Sequence, residues 1–443
     1  MARTSSPELP AASPANDALT PVPRAERSFD ARHHASLWFS LGVGLLVMQV
    51  GAYLVPALGP KEALLAIVAG SVLGAGLLAW VAKIGCDSGL ASAGLMQAVY
   101  GTGFARLPIV LNIVQLLGWG TFELVVMRDA SVAIGRQAGV MEAPGWTFAA
   151  TLLWGGLLAL LVSGSMVQLV RRLVSRFALP LVVLSLAWLT WTFAGMAWAQ
   201  DGPAFWNRPG AGGMAVLPAL DLVIAMPISW LPLVADYARH GRDGNAALRG
   251  TWVGYALANT WCYALGVLVA LTLPGREFVT ALLLAQGGLI ALSLILVDEV
   301  DNAYGDAYSG AVSSHSLLPA WSVRRWGLAM VAACTLFALV LPMHGLEPFL
   351  LMLSSVFVPL FGVIIGRLAG ADTVALLARA GRVEAVPVAI WIAGIATYHL
   401  CRVHAPSFGA ALPALALTLA LAWITRPDAN NRIPRPPADT PNA

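Results

Sequence analysis

Gln115, Trp119 and Glu123 stand at four-residue intervals in QLLGWGTFELVVM, inside a run apolar enough to cross a bilayer. That spacing lines up an amide, an indole and a carboxyl group on one helix face. A second set occurs in VDEVDNAYGDAYSG, where Asp298, Glu299, Asp301, Asn302 and Asp306 follow another apolar run. A charged side chain in hydrocarbon costs at least a few kcal/mol, so these groups are expected to face a cavity and bind something. Carboxylates accept hydrogen bonds, an amide both donates and accepts, and Asn302 and Asp306 at i and i+4 share a helix face. With the ring faces of Trp119 and Trp230 for stacking, the set suits a flat, neutral, polar heterocycle.

Competing chemistries find little support. The seven histidines, His33, His34, His240, His315, His344, His399 and His404, lie outside both clusters, and no HExxH occurs, which argues against a membrane-embedded metalloenzyme. Cys86, Cys262, Cys334 and Cys401 are scattered without metal or redox spacing and are expected to be apolar packing residues. No GxxxxGK[ST] loop is present, so uphill movement of a solute would draw on an ion gradient. A channel would account for the acids but not for the paired tryptophans.

The elements that must position these residues follow from hydropathy. The chain has 443 residues, of which 58% are hydrophobic and only 11% charged, with a mean hydropathy of +0.75; soluble domains carry about 25% charged residues. Apolar runs predict twelve transmembrane helices near 36–58, 62–82, 107–127, 146–166, 177–198, 217–237, 249–273, 278–300, 326–343, 346–366, 386–403 and 408–425. With both termini cytoplasmic, 20 Lys and Arg fall inside and 6 outside, the bias expected of a bacterial inner-membrane protein. The net charge of +3 therefore reflects orientation, and no clustered basic face suggests nucleic-acid binding. The Pro-, Ala- and Ser-rich segments 1–34 and 428–443 read as disordered cytoplasmic tails.

Two spans carry helix breakers. Ser40, Gly42 and Gly44 crowd the first span, and Pro227 and Pro232 flank Ser229 and Trp230 in the sixth. Unwinding within a membrane is tolerated where the freed backbone groups meet a cavity or ligand, so both breaks mark sites. Their matched positions suggest two five-helix repeats, 35–216 and 217–368, followed by two helices over 369–427. Inverted-repeat transporters bind their substrates between such broken helices. Ser40 and Gly42 at the first break, with Asp298 and Asp301 on span eight, are candidates for coupling a cation, either Na+ or H+.

The segments LWFSLGVG, PALGPKEALLAIVAGSVLGAG, KIGCDSGLAS, YGTGFARLP, GWGTFE, ISWLPLVADYARH and DAYSGAVS together resemble the nucleobase:cation symporter-1 family, and within it the CytX-type branch of hydroxymethylpyrimidine permeases in thiamin-precursor salvage. The resemblance runs from about Leu37 to Trp423. It implies an all-α LeuT-like fold, with ten helices in two inverted repeats plus two more. It also implies that Trp119 and Trp230 sandwich the substrate ring, that Glu123 takes the place of a substrate-binding glutamine, and that Asn302 and Asp306 stand where two asparagines are expected. Glu at 123 and Asp at 306 exchange donors for acceptors, which suits an aminopyrimidine. Val300 and Asp301 replace hydroxyl-bearing ion ligands, which puts the usual sodium site in doubt and leaves proton coupling open. The expected protein is a cation symporter for hydroxymethylpyrimidine or a close aminopyrimidine, with cytosine or another nucleobase as the alternative. Gln115 and Ser229 complete the expected substrate set. Beyond lipid and the coupling ion no cofactor or partner is expected, and the protein should be a monomer or weak oligomer.

Overall fold

The computed structural model describes residues 19–139, 145–164, 179–341 and 345–426. These form helices α1 (Ala31–Ser40), α2 (Leu45–Tyr53), α3 (Pro60–Ser88), α4 (Ser92–Tyr100), α5 (Arg106–Gln137), α6 (Trp146–Val162), α7 (Leu179–Asp201), α8 (Val216–Ser229), α9 (Leu231–Ala238), α10 (Gly244–Thr272), α11 (Phe278–Leu283), α12 (Gly288–Leu317), α13 (Val323–Val340), α14 (Leu346–Leu368), α15 (Thr373–Arg379), α16 (Ala385–His404) and α17 (Ala411–Ile424). No β-strand occurs among the described residues. Among the described residues eight helical segments, α8 with α9 counted as one, are long and apolar enough to span a bilayer, and α1 with α2 makes a ninth span bent by 63°.

Local signals set the helix ends. The side chain of Asp30 accepts the backbone N–H groups of Arg32 and His33 and caps α1. Pro60 opens α3 where its missing N–H is no loss. Gly89 closes α3 in the left-handed conformation, φ +73°, which a side chain would resist. Residues 19–34, expected to be disordered, are instead ordered. Val22 is buried, Arg27 donates to the Cys86 carbonyl at 2.6 Å, and Phe29 bridges to Gly241. The remaining tail residues expected to be disordered, 1–18 and 428–443, and the basic loop with Arg171, Arg172 and Arg176 lie outside the described residues.

Helices α1, α2, α3, α8, α9 and α10 pack as one group, and glycine makes this possible. A Cβ at Gly51 would collide with the Tyr263 backbone and one at Gly266 with the Met48 carbonyl. A Cβ at Gly70 would meet Val223, and one at Gly85 would meet Ala235. Close backbone approach through small residues is how membrane helices gain contact where the surrounding lipid offers no hydrophobic drive. Helices α5, α6, α12 and α13 form a second group. The site lies where the two groups meet.

Span eight differs from its expected limits of 278–300. Phe278–Leu283 is a separate short helix, and the long helix runs from Gly288 to Leu317. The acidic cluster therefore sits mid-helix, with Asp298 and Glu299 each 1% exposed and Asn302 and Asp306 each 3%. The break in span six is also milder than two prolines suggested. Helix α8 gives way to α9 at Trp230, but among the described residues only α1 and α2 meet at a break bent by more than 40°. Pro232 falls in the first turn of α9, where proline is tolerated.

Candidate functional site

A narrow cavity of about 20 Å³ lies beside the first break. Trp119 and Glu123 come from α5, Ser229 and Trp230 from the α8–α9 junction, Asn302 and Asp306 from α12, and Gly44 with Leu46 from the turn into α2. Six of the seven expected substrate residues thus converge. The seventh, Gln115, sits one turn deeper and does not line the cavity. Its Nε2 donates to the Ser229 carbonyl and to Asn112 Oδ1, each at 3.0 Å.

The first break exposes backbone groups, and side chains of α12 take them. Glu299 Oε1 accepts the Leu45 N–H at 2.6 Å, so the carboxylate caps the positive end of α2. Asn302 Nδ2 donates to the Val43 carbonyl at 3.0 Å and to Glu299 Oε2 at 2.9 Å. Both amide hydrogens are thereby committed, and Asn302 Oδ1 is left without a protein partner. Gly44 keeps this approach open, since a Cβ there would lie 3.1 Å from Glu299 Oε2. Of the cation candidates, Ser40 Oγ donates to Asp298 Oδ1 at 2.7 Å, and Asp301 is half-buried beside Asp298. Gly42 has a packing role, as its Cβ would meet Ala258 at 2.9 Å.

Two rings flank the cavity. Trp230 is held edge-on by Trp38, with centroids 5.9 Å apart. Trp119 meets Phe349 of α14 edge-on at 5.2 Å and Phe122 at 6.2 Å. Its Nε1 and Glu123 Oε2 are buried without partners. The unsatisfied atoms around the cavity are thus mostly acceptors, and among the described residues no Lys, Arg or His lines it. A bound solute rich in N–H groups would satisfy them.

A wider vestibule adjoins the cavity at Leu46 and opens past Gln49, Tyr53, Asp129 and Glu277. Toward the opposite end, side chains hydrogen-bond between neighbouring helices. Asn112 Nδ2 donates to the Pro232 carbonyl at 3.2 Å and to Ser313 Oγ at 3.0 Å. Asp236 accepts the Ser92 N–H at 2.9 Å.

A family model for permeases of cytosine/purines, uracil, thiamine and allantoin matches residues 21–424. The chain belongs to that permease family. The purine-cytosine permease FCY2 of Saccharomyces cerevisiae is 23% identical over 229 residues, 49% of this chain and 40% of that permease. Mhp1, a nucleobase-cation-symport-1 family transporter solved in a closed conformation with bromovinylhydantoin bound, superposes with a TM-score of 0.74 at 16% identity, covering 93% of this chain and 94% of Mhp1. MhsT in complex with L-phenylalanine gives 0.59 at 16% identity over 88% of this chain and 98% of MhsT. The permease therefore has the LeuT-like fold and is a multi-pass membrane protein.

Within the permease, sequence reasoning overlooked three contributors. Glu299 was visible as part of the acidic cluster, but its capping role depends on a break 254 residues away. Phe349 and Trp38 are aromatics with apolar neighbours, Pro348 and Leu350 in one case and Leu37 and Phe39 in the other, and nothing in the sequence singles them out.

Proposed function

We propose that this permease is a secondary-active symporter that carries hydroxymethylpyrimidine, or a close aminopyrimidine, by alternating access with a coupling cation. The observation that carries the reading is the chemistry of the cavity. Trp119 and Trp230 offer ring faces, while Glu123 Oε2 and Asn302 Oδ1 are buried acceptors without partners. An aminopyrimidine presents N–H donors on its edge and an aromatic face, so it can use both features. In this reading Trp119 and Trp230 stack on the ring, Glu123, Asn302 and Asp306 receive its N–H groups, and Ser229 shapes the wall.

Cytosine is the second reading. It also bears an exocyclic amine, and the matched relative in yeast is a purine-cytosine permease. Competition separates the two: labelled hydroxymethylpyrimidine uptake should be suppressed by unlabelled hydroxymethylpyrimidine at lower concentration than by cytosine. The reverse order would favour the second reading, and uptake of neither compound would reject both.

The protein is assigned to a bacterial inner membrane as a monomer or weak oligomer with both termini cytoplasmic. Basic residues such as Arg239, Arg242, Arg249, Arg324 and Arg325 support that orientation. The vestibule beside Tyr53 then opens outward, and the Asn112 and Asp236 contacts close the cytoplasmic side.

A further inference from the structure

Trp38 of α1 is fully buried and lies edge-on to three rings. Centroid to centroid, Trp230 of the cavity wall is 5.9 Å away, Tyr237 of α9 6.4 Å and Tyr255 of α10 6.1 Å. Trp230 and Tyr237 stand two turns apart on span six, so one indole of α1 touches both the substrate wall and the helix that leads away from it. Tyr237 in turn meets Tyr308 of α12 at 5.5 Å. The row of rings ends at Arg239, whose Nη2 donates to Tyr308 Oη at 3.5 Å.

That last contact is finely balanced. Arg239 is only 2% exposed, yet its Nε and Nη1 are buried without partners. One long hydrogen bond is thin compensation for a buried guanidinium. Asp236, one turn earlier on α9, accepts the Ser92 N–H instead. Water reaching Arg239 would satisfy the idle donors, so a small shift of α9 against α12 is enough to tip the contact open. Gly305 of α12 leaves space for such a shift, because it faces both rings of span six. A Cβ there would stand 3.4 Å from Tyr237 Oη and 3.5 Å from Trp230 Cζ3. Rings packed in this way move together, since a gap among them forfeits dispersion contact on each side of it.

We propose that Trp38 is a positioning residue that links the ring of Trp230, and with it the substrate, to the Arg239–Tyr308 contact by way of Tyr237. This rests on the transport reading above. A solute stacked on Trp230 fixes that ring, Trp38 carries the constraint to Tyr237, and Tyr237 sets where Tyr308 receives the guanidinium. Occupancy of the cavity is thereby felt at Arg239, although none of Tyr237, Tyr308 and Arg239 lines it.

The test uses the reconstituted full-length permease without its four native cysteines and with S92C as reporter, since Ser92 is buried and its backbone meets Asp236. Saturating hydroxymethylpyrimidine, or saturating cytosine, should change the rate of maleimide reaction about fivefold. In W38L that response should vanish while calorimetry still finds the compound bound, and W38F, which keeps a ring at the hub, should retain most of it. Equal responses in W38L and its parent, a response lost as fully in W38F, or no response in the parent to a compound that binds would each overturn the proposal. Should W38L not fold, Y237L breaks the row one ring further on and takes its place under the same outcomes. A substrate-free arm keeps the two readings apart. W38L and Y308F should each speed the basal reaction of S92C, and the double variant should be no faster than the faster single one, because both break the same row. Additive effects would overturn the link. If the cycle is non-additive while neither compound binds, the substrate reading fails and the link stands.

Discussion

Glu299 of α12 caps α2 through the Leu45 N–H, 2.6 Å away, so a side chain of one helix group holds the broken backbone of the other. Removing it should weaken the fold as well as transport. E299A leaves a buried N–H and the Asn302 amide short of an acceptor, and hydrogen bonds to charged groups contribute about 1.5–3 kcal/mol each. The melting temperature of the purified protein should fall by several degrees, and by much less for E299Q, which retains an acceptor oxygen.

The cavity residues make a sharper prediction about uptake. E123Q and W230A should abolish hydroxymethylpyrimidine uptake while surface expression stays normal. W198A, at an indole that is 65% exposed, should transport like the parent protein. Parental uptake rates in both cavity variants would remove Glu123 and Trp230 from the substrate site.

Asn112 and Gln115 tie α5 to the α8–α9 junction on the closed side. Loss of Asn112 should favour opening there. Ser92 is a suitable reporter, because its hydroxyl is buried without a partner and only its backbone N–H meets Asp236. In a background lacking the four native cysteines, S92C should react with a maleimide about tenfold faster when N112A is added, a shift of about 1.4 kcal/mol. An unchanged rate would show that this ladder does not hold the inner side closed.

Glycine replacements should grade by what they touch. G156A meets nothing within 4 Å and should be neutral. G44A, whose Cβ would stand 3.1 Å from Glu299 Oε2 and 3.3 Å from Asn302 Nδ2, should fold and lose most uptake. G266A would drive into the Met48 carbonyl and should fail to yield folded protein. Chromatographic yield and uptake measured on the same preparations would check the order.

Asp221 accepts the backbone N–H groups of Ala410 and Ala411 at the start of α17. D221A should destabilise the protein by roughly 2 kcal/mol, as expected for a lost charge-assisted cap, with substrate affinity unchanged. Thermal melting and uptake kinetics would separate the two effects.

Much of this architecture was legible because hydrocarbon enforces simple rules. Long apolar runs gave the spans, and glycine at 42 and 44 gave the sharp break. Span eight was displaced because acids lower the local hydropathy. The apolar run stops near Val297, and small residues from Ala303 to Ser314 continue the helix without announcing it. Short helices such as Ser92–Tyr100 fall below the length that hydropathy detects. Gln115 illustrates the limit of helical periodicity: its spacing gives the right face, but depth along that face decides whether it meets the cavity or a backbone carbonyl. The ordering of residues 19–34 depends on partners distant in sequence, Gly89 and His240 among them, which composition does not reveal.

The acceptors that Asn112 and Gln115 grip on the sixth span are main-chain oxygens, those of Pro232 and Ser229. Every amino acid supplies such an oxygen. In the proposed reading, the cavity wall can therefore diversify at 229 to suit new cargo without forfeiting the seal beneath it, provided the chain keeps its local course. Substrate preference and gate closure are separable here because one is written in side chains and the other in the polypeptide itself.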